Sequence, residues 1–353
     1  MYMSDALMST TPTAQTQSHA TVTEPFKAKT TSYGGRGLFA TRSIPSGAIL
    51  RACSDPYASA IYNPFRKEVC ARCFAYAFDA GRNNWNIKHE SAGASRFCSS
   101  DCLDAWAMDQ HDLPLLARIE KAVQALAKYS ARRPSTSTVG TSGTVASATM
   151  QDIDAAWQAA ERADIKQGAL VLDEMEEEIT RFVLSAILRK HSEDAGRHRT
   201  GDAGTWAAFL ELQDNELVHV RVRPSILAAQ IRVFLFLRLA LHDIADLRPY
   251  AQTATILRAV LARDHANAFG IFDMQERGDN EMLGWAVYVA GSYFNHDCAP
   301  NVRKQRVGRE MRFYTTRDVA PGEELCISYV DQFRQHWNFD CVCARCRRER
   351  AES

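Results

Sequence analysis

The sequence predicts an α+β fold of short sheets, split first by a cysteine-bearing insertion and then by a helical insert, with a cysteine-rich motif at its C-terminal end. Three observations predict it. Short apolar runs bounded by turn residues open and close the chain, apolar positions between 152 and 264 recur at helical spacing, and eight of the ten cysteines fall into two tight groups. A split sheet with insertions explains the order β, helical, β better than two independent domains do.

Taken in order, residues 1–25 are dominated by Ser, Thr, Ala and Gln without periodicity, which predicts a disordered tail. Residues 26–69 read as β-rich. Gly34-Gly35-Arg36-Gly37-Leu38-Phe39-Ala40 leads into an apolar strand, Ile44-Pro45-Ser46-Gly47 makes a turn, and Ala48-Ile49-Leu50 starts a second strand. Residues 70–112 carry cysteines, with Asp101 to Gln110 expected to be helical and Pro114 to limit its continuation. Residues 113–265 form the helical insert, marked by Met175, Ile179, Phe182, Val183 and Ile187, and it contains a low-complexity loop at 133–150. Residues 266–331 return to short apolar runs, including Trp285 to Tyr293, Met311 to Tyr314 and Leu325 to Tyr329. Residues 332–353 hold the last cysteines.

Composition bounds the function. Lys+Arg and Asp+Glu are equal at 42 each, and no basic stripe interleaves with aromatics, so direct nucleic-acid binding is not expected. The longest apolar stretch, Ile226 to Leu241, contains Gln230, Arg232 and Arg238 and falls short of the roughly 20 residues a bilayer requires. It reads as a buried helix. The N-terminus has no apolar signal core and no arginine before Arg36, so a cytoplasmic or nuclear, reducing location is expected, with the cysteines reduced.

In such a setting paired cysteines point to metal. Cys70-x2-Cys73 followed by Cys98-x3-Cys102 supplies four thiolates for one tetrahedral structural zinc, and the paired spacing favours this over four small core residues. Cys341-x-Cys343-x2-Cys346 offers three further ligands. Cys298 is the best fourth, because it lies in the densest polar motif of the chain, Asn295-His296-Asp297-Cys298-Ala299-Pro300-Asn301. Closing that zinc would fold the tail over the motif and build one wall of a pocket. Cys53 and Cys326 are expected in the core. Glu323 and Glu324, after Pro321-Gly322, read as a solvated turn and strand start, and Glu176-Glu177-Glu178 as the exposed face of a helix.

The Gly35-Arg36-Gly37 turn, the Asn295-to-Asn301 motif, the run Gly322-Glu323-Glu324-Leu325-Cys326-Ile327-Ser328-Tyr329 and the terminal cysteines, in this order, resemble the SET-domain protein lysine methyltransferases. The cysteine insertion is similar to a MYND zinc finger. This resemblance places the chain with the SET-and-MYND type, in a short fungal-like form, over residues 26 to 350. It divides the SET fold into 26–69 and 266–331, makes 70–112 the finger, and makes 332–353 a post-SET motif.

The resemblance implies transfer of a methyl group from S-adenosylmethionine to a protein lysine, histone or not, by a monomer with two structural zinc ions. It places Gly35, Arg36, Gly37, Asn267, Ser292, Asn295, His296 and Phe339 at the methyl donor, Trp337 and Tyr288 along the substrate channel, Trp285 nearby, and Tyr329 at the reaction centre. The alternative is a non-catalytic adaptor that keeps the fold and binds a protein partner. Three departures from the family stand out. No second cysteine pair accompanies His111, so a single-zinc, degenerate finger is expected. Asp297 stands where serine is usual. No helical repeat domain follows Cys346, which implies a more open substrate groove.

Overall fold

The computed structural model describes residues 24–33, 35–110, 112–130, 148–165, 170–197, 202–273, 280–329, 343, 346 and 347. Most of the expected disordered tail, His111, most of the low-complexity loop, Trp337, Phe339 and Cys341 lie outside the described residues.

Four strands come first: β1 (Phe26–Thr30), β2 (Arg36–Ala40), β3 (Ile49–Cys53) and β4 (Ala58–Ile61). The cysteine insertion follows as short turns and ends in α1 (Ser100–Gln110). Pro114 then sits inside the first turn of α2 (Leu113–Ser130) rather than ending a helix, a position where the missing N–H has no intrahelical partner to lose. The low-complexity segment ends sooner than expected. Thr149 caps α3 (Met150–Arg162) through a reciprocal pairing with Asp152.

The insert continues through α4 (Glu174–Asp194), α5 (Trp206–Leu210), α6 (Glu216–Val222), α7 (Ser225–Ala240), α8 (Arg248–Ala251) and α9 (Thr255–Asn267). The apolar run at 226–241 is thus the buried α7, and among the described residues no helix is long and apolar enough to cross a membrane. The closing strands are β5 (Ala268–Phe272), β6 (Met282–Val287), β7 (Asn295–His296), β8 (Val302–Val307), β9 (Glu310–Thr315) and β10 (Glu324–Ile327).

These strands make three small sheets, ordered β1-β2-β10-β7, β3-β9-β8 and β4-β6-β5. Each joins early strands to late ones, so the two halves of the sequence form one β unit with the insertions looped out. The central strand β6 is buried on both faces, which is why it reads as a continuous apolar run. Trp285 and Val287 face the helical core against residues such as Phe182, and Ala286 and Tyr288 face the β core with Phe269 and Phe313. Gly284 allows the closest approach of β6 to β4, since a Cβ there would strike the Ala60 carbonyl.

Two acidic residues expected on an exposed helix face are instead buried. Glu176 is 2% and Glu178 4% exposed. Glu176 caps α4, and its Oε1 accepts from Arg232 Nε of α7 at 2.8 Å. Glu178 pairs with the equally buried Arg66 at 2.9 Å. Helix α4 packs against both α7 and β4, so neither carboxylate reaches bulk water, and each has an arginine partner more than 50 residues away in sequence.

Candidate functional site

The sheet β1-β2-β10-β7 gathers the sequence motifs. Strand β10 lies between β2 and β7, antiparallel to the first (Leu325 opposite Leu38) and parallel to the second (Cys326 opposite Asn295, Ile327 opposite His296). The Gly35–Gly37 turn, the Asn295–His296 pair and the run ending at Tyr329 are therefore neighbours. Gly35 takes a positive φ of 71°, which a side chain would strain. A Cβ on Gly37 would lie 2.7 Å from Asn295 Nδ2 and would also strike the Glu324 carboxylate.

Asn295 is held from two sides. Its amide nitrogen donates to Glu324 Oε1 at 2.8 Å and to the Arg36 carbonyl at 3.3 Å. Both amide hydrogens thus have acceptors, which leaves Oδ1 as the acceptor the side chain offers to the site. Arg36 itself pairs with Glu211 at 2.7 Å and lies 5.2 Å from the centre of the Tyr293 ring.

His296 Nδ1 accepts the backbone N–H of Tyr329 at 3.0 Å. Burial lowers the pKa of His296, favouring the neutral ring, so its proton sits on Nε2, 3.2 Å from Cys298 Sγ. The Tyr329 hydroxyl donates to the Phe294 carbonyl at 3.1 Å, and burial raises its pKa. It stays a neutral phenol throughout the physiological range.

Ser292 and Asn267 meet one another. Ser292 Oγ donates to the Asn267 carbonyl at 3.1 Å, while Asn267, the last residue of α9, donates its amide to the Gln213 and Arg263 carbonyls. Its Oδ1 remains the acceptor turned away from those carbonyls. Asp297, in the serine position, accepts the Ala299 N–H on its Oδ1 at 2.8 Å and closes the turn.

Tyr288, expected along the substrate channel, is a correction. It is 1% exposed in the β core, packs edge-on to Phe269, and spends its hydroxyl on the Arg309 carbonyl. Its position next to β6 places it inside the β core, the cluster against which Tyr329 also packs. Trp285 is likewise internal, stacked on Phe182 with its Nε1 on Asp264.

Two groups of sulfurs can each hold a metal ion. Cys70, Cys73, Cys98 and Cys102 lie within 4.8 Å of one another, with Cys73 to Cys98 and Cys98 to Cys102 at 3.5 Å. A tetrahedron with Zn–S bonds of about 2.3 Å has edges of about 3.8 Å, so the set fits zinc. Cys298, Cys343 and Cys346 form the second group, with Cys298 to Cys346 at 3.5 Å. Tyr329 packs against this group, which joins the C-terminal cysteines to the site.

Sequence reasoning missed Glu324 and Tyr33. The first was read as part of a solvated turn and strand start, and it does open β10, yet its carboxylate takes hydrogens from Asn295 and from the Tyr33 hydroxyl. The available signal was its place in the same run as Tyr329, at the opening of β10. Lys304 was missed too. It lies on the inward face of β8, its ammonium 5.6 Å from the centre of the Phe269 ring, and burial pushes its pKa down to about 8.

The chain is similar to known proteins over spans that range from about a quarter of its length to most of it. The potential protein lysine methyltransferase SET6 of Saccharomyces cerevisiae is 28% identical over 92% of this chain and 95% of that protein. A SET and MYND domain-containing protein of Dictyostelium discoideum is 32% identical over 99 residues, a quarter of each chain. The histone-lysine N-methyltransferase SET5 of Yarrowia lipolytica is 32% identical over 102 residues, 26% of this chain and 22% of that protein. The SET domain model matches residues 35–330, the span that runs from the Gly35 turn through both insertions to the run that contains Tyr329, and the chain accordingly belongs to the SET domain family.

Proposed function

We propose that this chain transfers a methyl group from S-adenosylmethionine to lysine side chains of proteins, in the cytoplasm or nucleus. The reading is carried by one observation: three separate sequence motifs, at Gly35–Gly37, Asn295–His296 and the run from Glu324 to Ile327 that leads to Tyr329, converge on adjacent strands of one small sheet. The similarity to SET6, named a potential protein lysine methyltransferase, and to the histone-lysine N-methyltransferase SET5 supports it.

In this reading, S-adenosylmethionine brings a methyl group activated on a sulfonium, and the protein aligns donor and acceptor in line. Gly35 and Gly37 let the backbone approach the donor, and Asn295 and Asn267 offer amide oxygens to its donors. The incoming lysine must be neutral to attack, and an apolar channel disfavours its ammonium form. Tyr329 positions the amine with a buried phenol, and Trp337 and Phe339 complete the aromatic wall.

Zinc at Cys70, Cys73, Cys98 and Cys102 holds the finger, assigned to 70–112. Zinc at Cys298, Cys343 and Cys346, with Cys341, closes the post-SET motif over the site. A protein segment is the substrate, with no direct contact to nucleic acid or membrane, and the enzyme acts as a monomer.

Titration calorimetry with S-adenosylmethionine tests the reading, together with labelled-methyl transfer to proteins of a whole-cell extract. Binding with transfer to lysine is expected. A folded, zinc-loaded protein that binds no donor would leave the adaptor role.

A further inference from the structure

Glu324 is the point at which three parts of the donor side meet. Its Oε1 accepts from Asn295 Nδ2 at 2.8 Å, its Oε2 accepts from the Tyr33 hydroxyl, and Gly37 leaves it room that any side chain would fill. Its neighbour Glu323 is neutralised differently, by Arg317. Among the described residues no arginine, lysine or histidine forms an ion pair with Glu324, so its negative charge is met only by neutral donors. Both hydrogens of the Asn295 amide are already committed, so what the pair presents to a ligand is acceptor character throughout: one carboxylate and one amide oxygen.

A carboxylate held this way beside the Gly35–Gly37 turn distinguishes ligands by charge. The two forms of the cofactor that must pass through this site differ by one. S-adenosylmethionine carries a sulfonium cation, whereas S-adenosylhomocysteine, left after the methyl group has gone, has a neutral thioether in its place. Shape and the remaining polar groups are shared. Neutral hydrogen-bond partners cannot separate them strongly, but a fixed negative charge in a partly desolvated wall can.

We propose that Glu324 is a specificity-determining residue that makes the site prefer the charged methyl donor over its spent, neutral product. The assignment rests on the methyltransferase reading above. It gives Tyr33 and Asn295 a shared task, which is to orient the carboxylate without neutralising it. It also gives a reason for glycine at position 37 beyond backbone freedom.

The test is calorimetric, with S-adenosylmethionine and S-adenosylhomocysteine each titrated into the full-length, zinc-loaded protein and into Glu324→Gln. Glutamine can still accept from Asn295, so the hydrogen bond stays while the charge goes. The variant is expected to bind S-adenosylmethionine about tenfold more weakly and S-adenosylhomocysteine within about twofold of the unmodified protein. Glu324→Asp, which keeps the charge, should restore most of the preference. Equal losses for the two ligands, or no loss for either, would overturn the proposal.

If Glu324→Gln does not fold, the unmodified protein still decides the matter. The ratio of its two affinities should narrow by about threefold or more between about 0.02 M and 1 M salt, and a ratio indifferent to salt counts against the proposal. A folded, unmodified protein that binds neither ligand instead overturns the methyltransferase reading itself, so the two failures are distinct.

Discussion

The backbone N–H of Tyr329 donates to Nδ1 of His296 at 3.0 Å, and the other ring nitrogen of the same imidazole lies 3.2 Å from Cys298 Sγ. One side chain thus ties Tyr329, just past the end of β10, to a sulfur of the C-terminal cysteine group. His296→Ala is expected to weaken zinc binding at Cys298, Cys343 and Cys346 by about 10- to 100-fold, as for other partners of metal ligands. It should also cost about 1–2 kcal/mol of stability by leaving the Tyr329 N–H without its acceptor. Competition with a calibrated chelator reads the first effect and denaturant unfolding the second; unchanged zinc affinity would break the proposed link.

Tyr329→Phe separates binding from chemistry. The loss of one hydrogen bond to the Phe294 carbonyl should cost about 1 kcal/mol of stability. Donor affinity should stay within about threefold, and methyl transfer should fall by about 100-fold or more if the phenol positions the amine. Calorimetry and labelled-methyl incorporation measure the two, and full activity in the variant would remove Tyr329 from the mechanism.

Lys304 makes stability depend on alkaline pH. Burial lowers its pKa from 10.5 to about 8, so between these values the unfolded chain holds a proton that the folded chain has released, and stability rises with pH across that window. Below pH 8 the cost of burying the ammonium is present in full. Lys304→Met should therefore be more stable at pH 7 by about 1–2 kcal/mol, with the advantage closing towards pH 10.5. Urea unfolding at pH 7 and pH 10 checks the sign.

Asp264 acts in the opposite direction. Burial raises its carboxyl from 3.8 to about 7, with Trp285 Nε1 donating to it at 3.0 Å. The folded protein keeps a proton that the unfolded chain loses, so this contribution to stability is full below about pH 4 and is lost as pH rises through 7. Asp264→Asn keeps an oxygen for Trp285 and removes the decline. Relative to the unmodified protein it should gain about 2–3 kcal/mol between pH 5 and pH 8, read by unfolding at both.

Cys98→Ser should reduce the zinc content from two ions per chain to one, measured by metal analysis. The finger docks on the β8–β9 hairpin, where Arg306 and Arg309 donate to the Phe74 and Arg72 carbonyls, so thermal stability should fall by several degrees. Donor affinity should change by less than about threefold, since these bonds run to the β8–β9 hairpin rather than to β7.

The order of elements was legible in the sequence because it follows from local rules. Helical spacing marked α4 and α7, paired cysteine spacing marked both sulfur groups, and turn residues marked the hairpins. The ordered motifs identified the family and brought Gly35, Gly37, Asn295, His296 and Tyr329 into one expected site. Charge burial was not legible. Glu176 and Glu178 looked solvated until Arg232 and Arg66, distant in sequence, closed over them, and Glu324 looked like a solvated strand start until β10 paired between β2 and β7 and brought Asn295 to its carboxylate.

Tyr288 misled for a related reason: its place near Asn295 in sequence says nothing about the face on which it emerges. What the sequence by itself determined is which residues form strands, helices and metal-binding pairs, since those depend on neighbours along the chain. Only the tertiary structure decided which carboxylates and aromatics face the site, because that depends on long-range strand pairing, where a shift of one residue reverses every side chain.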